Sequence, residues 1–176
     1  MKKEFSVFEN VPQILGKLTN GGILVTAKVD GKVNPITIGW ATIGVQWGKP
    51  IFQAYIRESR YTKNMLDKAM NFTVNIPLEK SDRVKEILTF CGTKSGRDFD
   101  KVKELNLSLV PSDKVDAPAI SELPMTIECN IIYKERQNYR EMPQDVLQRF
   151  YPNAAQNPDD VHTVYYGEIL SSYILG

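Results

Sequence analysis

Hydrophobic and polar positions alternate or run together in short blocks along most of this chain, and the blocks predict strands more often than helices. Residues 23–29 form an apolar, β-branched run that ends at Asp30-Gly31, a strong signal for a two-residue hairpin turn. Strand character resumes from Ile36 to Val45, turns near Gly48-Lys49-Pro50 and continues from Ile51 to Ile56, which predicts a three-strand antiparallel meander. Its inner strands are apolar on both faces, so more than one layer must cover them. From Arg60 the period lengthens: Thr62, Met65, Leu66, Ala69 and Met70 recur at three and four, a helix with Ser59 as its expected cap. Phe72 to Ile76 reads as a strand closed by Pro77. A second helix is expected from Ser81 to Phe90, with Cys91-Gly92 at its end. The Glu79–Lys85 charge run reads as that helix's solvated face.

A polar loop, Gly92 to Lys101, leads into a short helix ending at Leu105, and strands follow at 107–110, 127–133 and 164–174. Between the last two lies 143–160, rich in Pro, Asn, Asp and Gln, read as a short helix through Val146, Leu147 and Phe150 plus an exposed connection. The carboxyl end (Tyr165, Tyr166, Tyr173, Ile174) is too apolar to float free and is expected to pack on the sheet or between subunits. Many strands with few intervening helices indicate an antiparallel barrel or sandwich, and a barrel is favoured because closure removes sheet edges. Neither an internal repeat nor a linker interrupts the 176 residues, so residues 1–176 read as one domain.

Composition narrows the function. A hydrophobic share of 42% and a charged share of 24% are ordinary for a globular domain. With 22 basic and 21 acidic residues the formal charge is +1, which argues against a nucleic-acid surface or a membrane-binding charge patch. The amino end carries no apolar run of a secretory signal, and no segment approaches the ~20 apolar residues of a membrane span. Cys91 and Cys129 lack a local partner and metal-ligand spacing, so reduced thiols in a cytoplasmic protein are the simplest account, with a disulfide between them as the alternative.

Candidate chemistry gathers between Asn34 and Thr62. Arg57, Ser59, Arg60 and Thr62 fall where a strand gives way to a helix. Free backbone N–H groups and the positive end of the helix dipole suit a phosphate there, and arginine and hydroxyl groups add hydrogen bonds. Ser59 with Thr62 would also serve simply as a cap, Trp40 as core, and the 92–101 loop as a solvated connection. Cys91 with the lone His162 admits a thiol-hydrolase reading, but adjacency and an orienting partner are not given by the sequence. His162 has no second ligand at metal spacing. No metal site is expected.

Three blocks carry a family resemblance: Asn34-Pro35-Ile36-Thr37-Ile38-Gly39-Trp40, then Ile56-Arg57-Glu58-Ser59-Arg60-Tyr61-Thr62, then Cys91 to Asp98 with Asp100-Lys101; a weaker fourth runs from His162 to Ile169. In order and spacing, from Gly21 to Ile169, the chain resembles the flavin reductase-like, FMN-binding split-barrel proteins, including flavoredoxins. The resemblance implies a mainly β, α+β fold, a six-stranded antiparallel Greek-key split barrel with peripheral helices that binds FMN non-covalently as a homodimer. It would set Thr37, Gly39 and Trp40 along the isoalloxazine or ribityl chain. Arg57, Ser59 and Thr62 would hold the phosphate, with Tyr61 adjacent. Cys91, Gly92, Ser95, Gly96 and Lys101 would form a loop closing over the flavin. Hydride would pass directly to the flavin, so no catalytic side chain is expected. No G-x-G-x-x-G fingerprint is present, so NAD(P)H would visit an open cleft as a transient co-substrate. Two functions follow: an NAD(P)H-dependent flavin reductase, or an electron carrier serving a redox partner protein; a barrel that has lost its flavin is a third.

Overall fold

The structure, a computed structural model, describes residues 1–157 and 160–176. Among these described residues, ten strands and five α-helices follow in the order β1 (Lys2–Glu4), α1 (Val11–Thr19), β2 (Ile23–Val29), β3 (Lys32–Ile38), β4 (Ala41–Gln46), β5 (Lys49–Arg57), α2 (Tyr61–Ala69), β6 (Asn71–Ile76), α3 (Asp82–Thr93), α4 (Lys101–Glu104), β7 (Leu109–Val110), β8 (Ala119–Ile120), β9 (Met125–Arg136), α5 (Gln144–Phe150) and β10 (His162–Leu175). The main sheet is antiparallel and ordered β3-β2-β6-β9-β10-β5-β4, with β1 added on β10; β7 and β8 form a separate pair. No ladder among the described residues joins β3 to β4, so the sheet stays open between its two ends.

Local chemistry explains the two end hairpins. Asp30 (φ 51°) and Gly31 (φ 78°) make the turn between β2 and β3, and Trp47 (φ 54°) and Gly48 (φ 70°) make the turn between β4 and β5. Two successive left-handed residues match the twist of the flanking strands. The expected meander is therefore corrected. The 36–45 run breaks at Gly39-Trp40, β3 pairs with β2, β4 pairs with β5, and the two hairpins lie at opposite ends of the sheet. Pro50 stands inside β5 opposite Val45, not in the turn. These changes, with β1, give eight strands in the main sheet against an expectation of six.

The two-sided burial read from β2 is present. Ile23, Val25 and Ala27 face the main core with Phe52, Phe72 and Tyr165, while Leu24 faces a second cluster with Ile87, Leu88 and Cys91 of α3. Helix α3 is capped by Ser81, whose Oγ accepts from Val84 N–H at 3.1 Å. It runs through Gly92 to Thr93 rather than ending at Phe90. A Cβ at Gly92 would lie only 3.4 Å from Thr37 Cβ, so a bare glycine lets α3 rest on β3. Helix α2 begins after Arg60, and Ser59 makes no capping bond. Helix α1, with Pro12 in its first turn and Ile14 and Leu18 buried, has no counterpart in the predicted elements. Tyr165 and Tyr173 are buried inside the chain because β10 is an interior strand, flanked by β9 and β5 at Tyr165 and by β9 and β1 at Tyr173. Of the expected connection in 143–160, α5 is formed, and positions 158 and 159 lie outside the described residues.

Candidate functional site: two joined cavities at the open end of the sheet

Where β3 and β5 end and α2 and α3 pass, two cavities share Ile36 and Arg60 as wall residues. The smaller, about 80 Å³, is lined by Ser59, Tyr61, Thr62, Cys91, Gly92, Lys94, Ser95, Gly96, Arg97 and Lys101. The larger, about 410 Å³, is lined by Thr37, Gly39, Trp40, Tyr55, Arg57 and His162. Every residue that the sequence singled out for the cofactor thus lines one cavity or the other. A wider groove of about 770 Å³ beside α3, past Lys80 and Leu88, contains none of them.

The small cavity is a polar cradle built from the start of α2 and the loop after α3. Asn34 Nδ2 donates to Thr62 Oγ1 at 2.8 Å, and both residues are almost fully buried. Thr62 Oγ1 is therefore occupied as an acceptor, while its own O–H proton is available to a ligand oxygen. Gly96 lies so close that a Cβ there would sit 2.0 Å from Asn34 Oδ1 and 2.9 Å from Tyr61 Cδ1. Lys32 Nζ donates to Gly96 O at 2.7 Å and lies over the Tyr61 ring, and Arg97 lies over the same ring. Ser95 Oγ accepts from Arg97 N–H, which shapes the loop. The guanidinium of Arg60 makes no hydrogen bond or ion pair with the described residues. Its charge bears on both Lys101 and His162, which places it at the junction of the two cavities.

Lys101 and Thr37 line the walls but are already committed. The Lys101 ammonium donates to Pro35 O at 2.8 Å and Cys91 O at 3.0 Å, tying β3 to α3, and burial holds its pKa below the ordinary lysine value. Thr37 Oγ1 donates to Leu88 O at 2.7 Å. Burial pushes the Cys91 thiol up to about 11, against a smaller opposing pull from Lys101, so it remains protonated at neutral pH. Cys91 and His162 line different cavities, which removes the adjacency that a thiol-hydrolase pair needs. Both cysteines are free.

Arg57 is the main departure from expectation. It lines the larger cavity, not the cradle, and its guanidinium is engaged: Nη1 pairs with Asp160 and Nη2 donates to Phe150 O at 3.0 Å. Trp40 packs edge-on to Phe150, with ring centres 5.2 Å apart, and lies 4.8 Å from the His162 ring. Tyr151 donates its hydroxyl proton to Gln137 Oε1 at 2.9 Å and lies 2.8 Å from His162 Nδ1. With that proton committed, Nδ1 carries the imidazole hydrogen and Nε2 keeps its lone pair. Burial first, then the Arg57 charge, pushes the His162 pKa down to about 4, so the ring is neutral at pH 7. Asn34, Arg97, Tyr151 and Asp160 are not among the site residues expected from sequence, and Arg60, counted at the strand–helix junction, is not among those expected to hold the phosphate; Asn34, Arg60 and Arg97 all lie in the blocks that carry the resemblance. Among the described residues no group of three or more His, Cys, Asp or Glu is placed to hold a metal, and no helix is long and apolar enough to cross a membrane.

Comparison with known proteins identifies the family and the fold. Residues 15–174 match the model of the flavin reductase like domain. An uncharacterized protein of Archaeoglobus fulgidus is 30% identical over 101 residues, 57% of this chain and 55% of that relative, so the match spans little more than half of the relative's length. The flavoredoxin of Desulfovibrio vulgaris superposes with a TM-score of 0.65 at 25% identity, over 88% of this chain and 69% of that one. An FMN-binding domain of a flavin reductase-like enzyme from Shewanella baltica gives 0.65 at 14% identity, over 99% and 77%, a likeness of fold alone. The mainly antiparallel, split-barrel architecture is common to these structures.

Proposed function

The chain belongs to the flavin reductase like domain family, and from that premise we propose that it binds FMN non-covalently and works as an NAD(P)H-dependent flavin reductase. The observation that carries the reading is the joining of a phosphate-sized polar cradle to a larger, partly aromatic cavity through the guanidinium of Arg60, which has no partner among the described residues. The donor set fits a phosphate monoester: the start of α2, the Thr62 hydroxyl and Arg60, with Ser59, Lys94 and Arg97 at the rim. The larger volume lies within the range of small-molecule sites, and Trp40, Tyr55 and His162 offer flat walls for a planar ring. When bound, the flavin supplies the hydride chemistry, and the chain's own residues bind, orient and exclude. His162, neutral and held by Tyr151, offers an acceptor at Nε2 and no proton at pH 7.

Purified protein should be yellow and release FMN, not FAD, on denaturation. Arg60→Ala should weaken FMN binding roughly ten- to a hundredfold, since a hydrogen bond to a charged group is worth ~1.5–3 kcal/mol. Colourless protein that also fails to bind added FMN refutes the reading. The likeness to flavoredoxin favours a second use of the same site, an FMN electron carrier between protein partners. Anaerobic mixing with NADH or NADPH separates the two: prompt bleaching of the flavin supports the reductase, and bleaching only with a partner reductase supports the carrier. We further propose a homodimer. The cluster of exposed Trp47 and Tyr133 with half-buried Tyr166, ring centres 5.1–6.1 Å apart, is the surface that supports it.

A further inference from the structure

The excursion between β9 and β10 makes its contacts with the rest of the site in an ordered way. Phe150 packs edge-on to Trp40, and the Phe150 carbonyl and the Asp160 carboxylate hold Arg57. The Tyr151 hydroxyl holds His162 Nδ1 and is itself anchored on Gln137, at the foot of the excursion. Trp40, Arg57 and His162 come from three different strands or strand ends, yet all three line the larger cavity. Phe150 and Tyr151 do not line it; they stand behind the residues that do. The described residues of the excursion have their own small core, with Tyr151, Ala154 and Val161 buried and Tyr139, Met142, Val146 and Leu147 packed around them, so they can act as one body.

We propose that this excursion is the positioning element of the larger cavity, with Arg57, Phe150 and Tyr151 as positioning residues that set the cavity wall as a unit. The strand–helix junction alone does not supply this wall. Arg57 is half-buried with its charge offset by Asp160, and its role is to tie the excursion to β5. Seating the excursion orients the Trp40 indole and fixes the His162 tautomer together, so displacing it changes ring orientation and tautomer together. Its functional consequence rests on the reading that this cavity receives the flavin ring; the mechanical claim does not.

The test uses the full chain with Arg57→Gln, and Asp160→Asn as the second variant should the first fail to fold. Trypsin should cut after Arg140 and Arg149, both in the excursion, at least tenfold faster in each variant than in the parent, with cleavage elsewhere unchanged. Iodide quenching of Trp40, followed in a Trp47→Phe background, should rise at least twofold, whereas quenching of Trp47 in a Trp40→Phe background should not move. FMN dissociation constants should rise several-fold in the same variants. Unchanged trypsin rates and unchanged Trp40 quenching in a folded variant overturn the proposal, as does an equal rise at Trp40 and Trp47, which marks general loosening. A parent that binds no FMN defeats the cofactor reading, while the trypsin and quenching results still decide the brace.

Discussion

Gly96→Ala tests the cradle without touching any charged group. The backbone of Gly96 is not in the left-handed region, so alanine carries no backbone strain there, and the effect is steric. The new methyl would lie 2.0 Å from Asn34 Oδ1, 2.7 Å from its Cγ and 2.9 Å from Tyr61 Cδ1, all inside real contact distances. Overfilling a packed site costs ~1–3 kcal/mol. Asn34 is only 1% exposed, so swinging it away breaks its bond to Thr62 and strands a buried amide, worth a further ~1–3 kcal/mol. We expect a loss of about 3 kcal/mol, read as a shift in urea midpoint at constant m-value. The sharper expectation is non-additivity. In an Asn34→Ala background the two closest contacts vanish and only Tyr61 resists, so Gly96→Ala should then cost about 1 kcal/mol. The resulting coupling of roughly 2 kcal/mol is well above experimental scatter. Costs that simply add to within about 0.5 kcal/mol would falsify the placement of Gly96 against Asn34 and, with it, the shape of the cradle.

Two other expectations follow from the same geometry. His162 titrates at about 4 when folded and near 6.5 when unfolded, so its neutral burial costs nothing above pH 6.5 and stability falls as the pH drops from 6.5 towards 4; urea titrations at pH 7.5 and 4.5 should show roughly 2–3 kcal/mol of this loss absent in His162→Gln, and an identical slope in that variant refutes the assignment. Light scattering at micromolar concentration should report a dimer that Trp47→Lys shifts towards monomer, and a monomeric parent with flavin bound would rule the dimer out.

The legible parts of the fold are those whose cause is local. Asp30-Gly31 announces a turn because two left-handed residues are needed and Gly supplies one at no steric cost. The second turn lies one residue earlier than Gly48-Lys49-Pro50 predicts, because Pro50 resembles turn chemistry whereas the first left-handed residue is Trp47, which carries no such signal. Which hairpin pairs with which strand is a non-local matter. The β3–β4 break at Gly39-Trp40 separates two segments that join opposite ends of the sheet, and no period in the chain records that. Helix α1 leaves little periodic signal because its buried face is two residues, Ile14 and Leu18, in a stretch interrupted by Pro12 and Gly16.

At the site the same division holds between Arg57 and Arg60. Both lie in one short block, and the phosphate argument from a strand–helix junction applies to the block as a whole. Arg57 is still on β5, opposite His162 of β10, so its position is set by the sheet register and brings it to the excursion. Arg60 is the residue just before α2, where its guanidinium and the free N–H groups of the first turn can donate to one shared anion. Choosing between them needs the last residue of the strand and the partner waiting for Arg57, and that partner is Asp160, more than a hundred residues away in a segment of unremarkable polar composition. An arginine already neutralised by a carboxylate and a carbonyl has little left for a phosphate, whereas one with no partner among the described residues, at the mouth of a polar cradle, keeps its donor set for a ligand. The proposed anion site is therefore a local property of the sequence, whereas the choice of its cation turns on a long-range ion pair.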